Sequence, residues 1–329
     1  MKVIIPCCGN SSRFPDLPPK WMLPDHSGRP MIAEAISQLN VSDQDLVVTI
    51  LEEHQHKFNV TNGLKKALGD GVQVVILREK TRSQSETVYK TILELNIDEP
   101  FLVKDSDNCF RVDQVEEKYS YVCYDSLNNH SLINPRNKSY LQLDGKKMLT
   151  NIKEKQVISD TFSVGGYYFS DPVQFRETYL KLSKVDAVDK SEIYLSDMIL
   201  SMLLDGIPFR GKLISAYQDW GTVQDWKRFL LSKKTFFVAL DGYLFERGSE
   251  YFEPTFENAK VHKNALESLN ELMGLGHSVV LLSVRSKEYA SLTTLQLSDV
   301  GLGHITVLYE CPLSKWELIT PPYQGISFR

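Results

Sequence analysis

Short β-branched runs that recur between longer amphipathic stretches are the feature that most restricts how this chain can fold. Lys2–Pro6, Leu46–Leu51, Val72–Leu77 and Phe101–Lys104 read as strands, and Met31–Leu39 and Glu86–Leu95 between them read as helices. Strands joined through helices run parallel, so the pattern predicts an α/β fold with a mainly parallel sheet. Ligands in such sheets sit beyond the carboxyl ends of the strands, which singles out the segments after Pro6 and Lys104.

The alternation is interrupted and then restarts. From Tyr119 to Tyr168, turn signals at Asn134-Pro135 and Asp144-Gly145 flank short alternating segments, predicting inserted hairpins that could wall a second substrate. Ser191–Leu204 reads as a helix. Strand-like Thr235–Leu240, helical Lys263–Leu275, strand-like Ser278–Ser283 and helical Leu292–Leu297 then begin a second α/β pattern. A chain of 329 residues also exceeds what one core usually supports. Two domains are therefore expected, 1–231 and 235–329, divided at Ser232-Lys233-Lys234.

Composition narrows the class of partner. With 42% apolar and 24% charged residues the chain is ordinary for a globular protein, and a net charge of −5 supplies no basic field for nucleic acid. Cys7, Cys8, Cys109, Cys123 and Cys311 are odd in number and lack metal-like spacing, which fits a reducing compartment. The run Val3 to Cys8 is too short for a secretory signal, and no stretch reaches the ~20 apolar residues that span a bilayer. A cytoplasmic protein without a membrane partner is expected.

Three segments carry the candidate chemistry. Cys8-Gly9-Asn10-Ser11-Ser12-Arg13-Phe14 leaves the first strand as a small-residue loop, and Pro18-Pro19-Lys20 follows. Backbone N–H groups of such a loop can cradle an anion, with Arg13 and Lys20 adding charge for a triphosphate. The strand Phe101–Lys104 ends in Asp105-Ser106-Asp107, whose two carboxylates share one side of an extended chain and can face a cation. In Gln218-Asp219-Trp220-Gly221-Thr222, an acid follows a short strand and Thr222 can cap the next helix.

Together these segments resemble those of the sugar nucleotidylyltransferases, whose Rossmann-like domain joins an NTP to a sugar phosphate and releases pyrophosphate. The resemblance runs in order across Met1 to Phe229 and implies that Gly9, Asn10, Ser11, Ser12 and Arg13 hold the phosphates. It implies that Lys20 stabilises charge developing during transfer, and that Asp107 and Asp219 bind Mg²⁺, with Asp105 either supporting that site or joining it. Ser11 replaces the family's second glycine. Glu154-Lys155 is similar to the family's Glu-Lys-Pro segment, with Gln156 in place of proline, which implies that Lys155 contacts the sugar phosphate. Gly165-Gly166-Tyr167 and Glu192-Ile193-Tyr194 resemble its sugar-side segments, so Gly166 and Glu192 join the acceptor site. Arg82 to Glu86 stands where the base is read, and Gln84 and Glu86 could bond a base edge or simply open a helix. Partners would be an NTP and a sugar phosphate or similar small phosphate, and the pathway implied is supply of surface-polysaccharide precursors.

Phe236-Phe237-Val238-Ala239-Leu240-Asp241-Gly242 resembles the first motif of the haloacid dehalogenase superfamily of phosphatases, with Ala239 at the position of the nucleophilic aspartate. A methyl group cannot attack phosphorus. Ser283 and Lys315 match the later phosphate-binding motifs, and the family's paired acids are missing, so an inactive domain is expected, serving dimerisation or shaping of the first site. Two other functions fit the same residues: a glycosyltransferase that uses Asp105-Ser106-Asp107 to hold a nucleotide-sugar diphosphate, and a non-catalytic NTP-binding regulator.

Overall fold

The computed structural model describes residues 1–9, 13–112, 117–130, 134–186 and 192–312. The chain divides into two compact units, Met1–Lys227 and Arg228–Arg329, the division falling inside the helix Val223–Ser232 rather than at the Lys233-Lys234 pair.

The first unit is built on β1 (Lys2–Pro6), β2 (Leu46–Leu51), β3 (Gln73–Leu77) and β4 (Phe101–Lys104), close to the segments expected from β-branching. It continues through β5 (Asn108–Arg111), β6 (Ser120–Ser126), β7 (Ser139–Leu143), β8 (Leu149–Glu154), β9 (Thr161–Phe169), β10 (Phe209–Leu213) and β11 (Ser215–Asp219). The main sheet has the order β10-β6-β9-β4-β1-β2-β3, with β7 and β8 attached through β9. Its centre, β4-β1-β2-β3, is parallel throughout. β1 pairs on one side with β2 and on the other with β4, so the loops that leave β1 and β4 diverge from neighbouring strand ends and open a crevice between them.

Both faces of this centre are covered. Val3, Ile5, Val48 and Leu102 enter one apolar core, while Ile4, Val47, Phe101 and Val103 enter the other. Alternate residues of a strand point to opposite faces, so continuous apolar runs are what a doubly covered parallel sheet requires. Helix Gln84–Glu94 packs on the second face. Ser83 caps it by accepting from Glu86 N at 3.1 Å, and Thr91 is tied to Thr49 of β2 through hydroxyls 2.6 Å apart. This helix starts two residues before the expected boundary because Ser83 supplies the cap. The expected helix from Ser191 runs over Leu195–Leu204, with Ser191 itself outside the described residues. The hairpin β7–β8 and the long β9 form the expected insertion. Among the described residues, no helix is long and apolar enough to cross a membrane.

The second unit contains a parallel sheet of β12 (Thr235–Ala239), β13 (Ser278–Leu282) and β14 (Thr306–Leu308) in that order, with helices Lys263–Gly274 and Ala290–Asp299. Leu240, Leu269, Leu281 and Leu297 lie in its core. Beside them Arg285, fully buried, donates to Asp241 through Nε at 3.0 Å and Nη2 at 2.7 Å. Its Nη1 donates to Thr293 Oγ1 at 3.0 Å and Gln296 Oε1 at 2.6 Å. Four such bonds satisfy a guanidinium that could not otherwise be desolvated.

Removing one member of a buried ion pair leaves the other charge without a partner, which costs about 3–5 kcal/mol. Arg285→Met should therefore lower the stability of the second unit by that order in urea unfolding of the full chain. A loss below about 1 kcal/mol would show that the pair does not organise this core.

Candidate active site

The crevice at the ends of β1 and β4 opens into a cavity of about 630 Å³, lined wholly by residues of the first unit. Gly9 and Arg13, on the loop after β1, form one side together with Lys20, which begins a short helical turn. Asp105 and Asp107 enter from the loop after β4. The turn Thr81 to Gln84 borders the cavity beside them, and the insertion contributes Lys138, Glu154, Lys155 and Gly165. Glu192 and Tyr194 precede the helix Leu195–Leu204 and close the remaining side.

Asp107 and Asp219, far apart in sequence, meet because β5 and β11 pair antiparallel with Asn108 opposite Asp219. Trp220 N donates to Asp107 O at 2.8 Å, continuing the ladder past the strand ends. Each carboxylate holds a lysine: Lys20 Nζ lies 2.5 Å from Asp107 Oδ2, and Lys138 Nζ lies 2.7 Å from Asp219 Oδ2. Arg13 belongs to the same group, since a Cβ placed on Gly221 would stand 3.3 Å from Arg13 Nη1, 3.3 Å from Asp219 Oδ1 and 3.8 Å from Asp107 Oδ2. Two anions and three cations thus converge at one point. Burial works to raise the Asp107 carboxyl, but Lys20, Arg13 and Lys138 outweigh it and hold the group well below the usual carboxylate range.

Asp105 is held differently. Gln84 Nε2 donates to its Oδ1 at 2.5 Å, and its backbone N–H donates to Gly165 O at 2.9 Å. Gly165 has φ +82°, and any Cβ there would collide with Asp105 Oδ2 and Asn108 Nδ2, so the close approach of β9 to the acidic loop requires glycine. Burial and the Asp107 charge push the Asp105 carboxyl upward. Beneath the loop, the fully buried Lys104 donates to Asp105 O at 2.7 Å, Asn108 O at 2.8 Å and Asn108 Oδ1 at 2.6 Å. Lys104 is an internal clamp on the turn that presents both aspartates.

On the acceptor side, Lys155, with φ +53°, turns its ammonium onto Tyr194, 2.8 Å from the phenol oxygen and 4.3 Å from the ring centroid. Glu154 accepts from Ser139 and from Ser196 Oγ, the latter at 2.9 Å. Thr222 and Asp225 cap the helix after Asp219 reciprocally: Thr222 N donates to Asp225 Oδ2 at 3.1 Å and Asp225 N to Thr222 Oγ1 at 3.2 Å. Cys8 lines the cavity, but burial pushes its thiol up to about 12, which leaves no thiolate for nucleophilic work.

The structure therefore brings Gly9, Arg13, Lys20, Gln84, Asp105, Asp107, Lys155, Glu192 and Asp219 to one cavity. Asn10, Ser11 and Ser12 lie outside the described residues. Two expected residues are not among those lining the cavity. Glu86 accepts from Arg82 N at 2.6 Å and pairs with Lys90 at 3.1 Å, contacts that stabilise the helix start. Gly166 is buried against Phe110 and Cys123, and its neighbour Gly165 is the glycine that lines the cavity. Sequence reading missed Lys138 and Lys104. A charge closing the apolar run Phe101-Leu102-Val103 was a usable signal for Lys104, whereas Lys138 in a polar turn carried none.

Two carboxylates on one cavity are hard oxygen donors of the kind Mg²⁺ takes, usually only one or two from protein with phosphate and water completing the shell. Among the described residues no three His, Cys, Asp or Glu side chains gather into a metal cage. The donor set thus fits a metal shared with a phosphate ligand.

The sheet order and the insertion define a Rossmann-like α/β unit. Solved structures with this fold include the nucleoside-diphosphate-sugar pyrophosphorylase of Vibrio cholerae RC9, at TM-score 0.58 and 18% identity over 70% of this chain and 99% of that one. A Bacillus anthracis protein provisionally titled a glucose-1-phosphate thymidylyltransferase aligns at TM-score 0.57 and 22% identity over 70% and 94%. The inositol-1-phosphate CTP transferase of T. maritima aligns at 0.53 and 13% over 68% and 90%. No family model and no curated protein matches the sequence.

In the second unit Ala239 ends β12, and Ser283 Oγ donates to Asp241 Oδ2 at 3.0 Å. Arg285 takes the other oxygen of Asp241. Lys315 lies outside the described residues. The acid and the hydroxyl that the phosphatase resemblance singles out are thus bonded within the unit.

Burial lowers the Lys104 ammonium from 10.5 to about 8, against the raising influence of Asp105. Below pH 8 folded and unfolded chains both hold this proton. Between about 8 and 10.5 only the unfolded chain does, so stability from this group rises with pH by up to about 1.4 kcal/mol per unit. The stability of wild type minus that of Lys104→Met, measured in EDTA, should become more favourable from pH 8 to pH 10. A flat difference would show that Lys104 is not desolvated.

Proposed function

We propose that the first unit is a Mg²⁺-dependent nucleotidyltransferase that joins an NTP to a sugar phosphate, or a similarly small phosphate monoester, and releases pyrophosphate. The observation that carries this reading is the convergence of Arg13 and the two pairs Lys20–Asp107 and Lys138–Asp219 on a cavity that also opens onto the loop after β1. A site with this charge pattern handles a polyanion with a metal, and chemistry on phosphorus needs little else from the protein than position and neutralisation. The fold neighbours, named as a pyrophosphorylase, a thymidylyltransferase and a CTP transferase, support the same reaction class.

In this reading Gly9 and the loop after it face the triphosphate, with Arg13 and Lys20 beside the β- and γ-phosphates. An acceptor phosphate oxygen attacks the α-phosphorus in line, the bond to the bridging oxygen breaks, and pyrophosphate departs with the charge that Lys20 and Arg13 stabilise. Asp107 and Asp219 would hold Mg²⁺, which draws negative charge from the phosphate oxygens. Asp105, bonded to Gln84, fixes the turn and leaves Asp107 to the metal. No protein nucleophile takes part. Lys155 and Glu192 face the acceptor from the rim.

Arg13 and Lys20 favour an intact triphosphate over a nucleotide sugar as the donor, which separates this function from a glycosyltransferase with the same Asp105-Ser106-Asp107 turn. The second unit is proposed to be inactive as a phosphatase, because Ala239 offers no nucleophile and Asp241 is engaged by Arg285. Use of NTPs fits a cytoplasmic enzyme, and an activated sugar or polyol fits the supply of surface-polysaccharide precursors.

Pyrophosphate release from a panel of NTPs and phosphate monoesters tests the reading. Lys20→Ala should fold normally and lose about 10²–10³-fold in kcat, the scale set by removing one preorganised group from developing charge. Asp107→Asn should lose comparable activity and require much higher Mg²⁺. Near wild-type turnover in either folded variant would remove that residue from the mechanism.

A further inference from the structure

Lys138 is unexplained by any motif, yet it is the lysine on Asp219. It immediately precedes β7, on the insertion that contributes Lys155 to the cavity. Its side chain is 13% exposed, and its ammonium is bonded to Asp219 Oδ2 at 2.7 Å and Tyr217 OH at 2.8 Å, over the rings of Phe162 and Tyr217 at 5.8 and 5.4 Å. The Lys155 side chain, by contrast, is 49% exposed, with its ammonium engaged with Tyr194. Of the two insertion lysines that line the cavity, Lys138 is the one beside the carboxylate pair.

We propose that Lys138 is an exchange cation: it neutralises Asp219 while the metal is away, and on metal binding it is released to hold the acceptor phosphate. The inference rests on the nucleotidyltransferase reading and deepens it. A carboxylate held by an ammonium at 2.7 Å cannot offer the same lone pairs to a metal, so metal and Lys138 compete for Asp219. Once displaced, the ammonium of this largely buried side chain keeps Tyr217 and the two ring faces but loses the carboxylate it was bonded to, which favours an incoming dianion. The acceptor phosphate would then meet its cation only after the metal is in place, which prevents it from settling on the site in a non-reactive state.

The two halves of this role have opposite signs in one variant. Lys138→Met should bind Mn²⁺ at least about threefold more tightly than wild type in calorimetric titration of the nucleotide-free protein, because a competitor and a repelling charge are gone. The same variant should raise the acceptor KM by about tenfold or more, the scale of a lost charge-assisted bond. Lys138→Arg should keep Mn²⁺ affinity near wild type, and Lys138→Gln serves if the Met variant does not fold. On wild-type protein, acylation of Lys138 read by peptide mass spectrometry should increase when Mg²⁺ is added. Unchanged or weaker Mn²⁺ binding in a folded neutral variant, absence of Mn²⁺ binding in both proteins, or acylation unmoved by Mg²⁺ would overturn the exchange. Tighter Mn²⁺ binding with an unaltered acceptor KM would overturn the phosphate role. Wild-type protein that releases no pyrophosphate would instead sink the reaction assigned above, leaving the Mn²⁺ and acylation results to stand or fall separately.

Discussion

The antiparallel pairing of β5 with β11 forces two carboxylates, Asp107 and Asp219, into one cavity, where like charges repel. Much of the site follows from that constraint. Lys20 and Lys138 each approach one carboxylate, and Arg13 stands against both. Lys104 and Gly165 hold the acidic turn from below and beside it, one by three hydrogen bonds and the other by having no side chain. A divalent cation shared with phosphate oxygens would satisfy the same two carboxylates, which is why a polyanionic ligand suits a cavity that is already charge-balanced without it.

The fold was legible where local pattern and tertiary demand agree. β1, β2 and β4 have the bounds that their apolar runs imply, because a strand covered on both faces must be apolar at every position. Helix Met31–Ile36 is shorter than its apolar spacing suggests, its last turn giving way where Ser37 Oγ bonds to Glu34 O. The site was legible where a residue belongs to an ordered motif: Arg13, Lys20, Asp107 and Asp219 all reach the cavity. It was not legible for Lys138, whose importance comes only from the β7–β9 pairing that lays the insertion beside β11. For Glu86 the sequence left two roles open, because a carboxylate at a helix start can serve the backbone as readily as a ligand, and here it bonds Arg82 N outside the cavity lining.

The two units use buried charge in different ways. In the second, the fully buried Arg285 and the hydroxyl of Ser283 hold both oxygens of Asp241 within the protein, so the pair serves the core. In the first, the charged groups line an open cavity and each ion pair can be exchanged for a stronger one with ligand and metal. The closed pair suits a structural role and the open quartet suits turnover, a contrast that rests on exposure and not on residue type.

Transfer of the α-phosphorus is the claim on which the whole reading depends. Incubating the protein with Mg²⁺, NTPs labelled separately at the α- and γ-positions, and a panel of sugar and polyol phosphates measures it directly. The α-label should pass into a diphosphate-linked conjugate while the γ-label appears in an equal amount of pyrophosphate, with neither event in Asp107→Asn. Release of the γ-label as inorganic phosphate, or an α-label that stays in the free nucleotide with every acceptor, would contradict it.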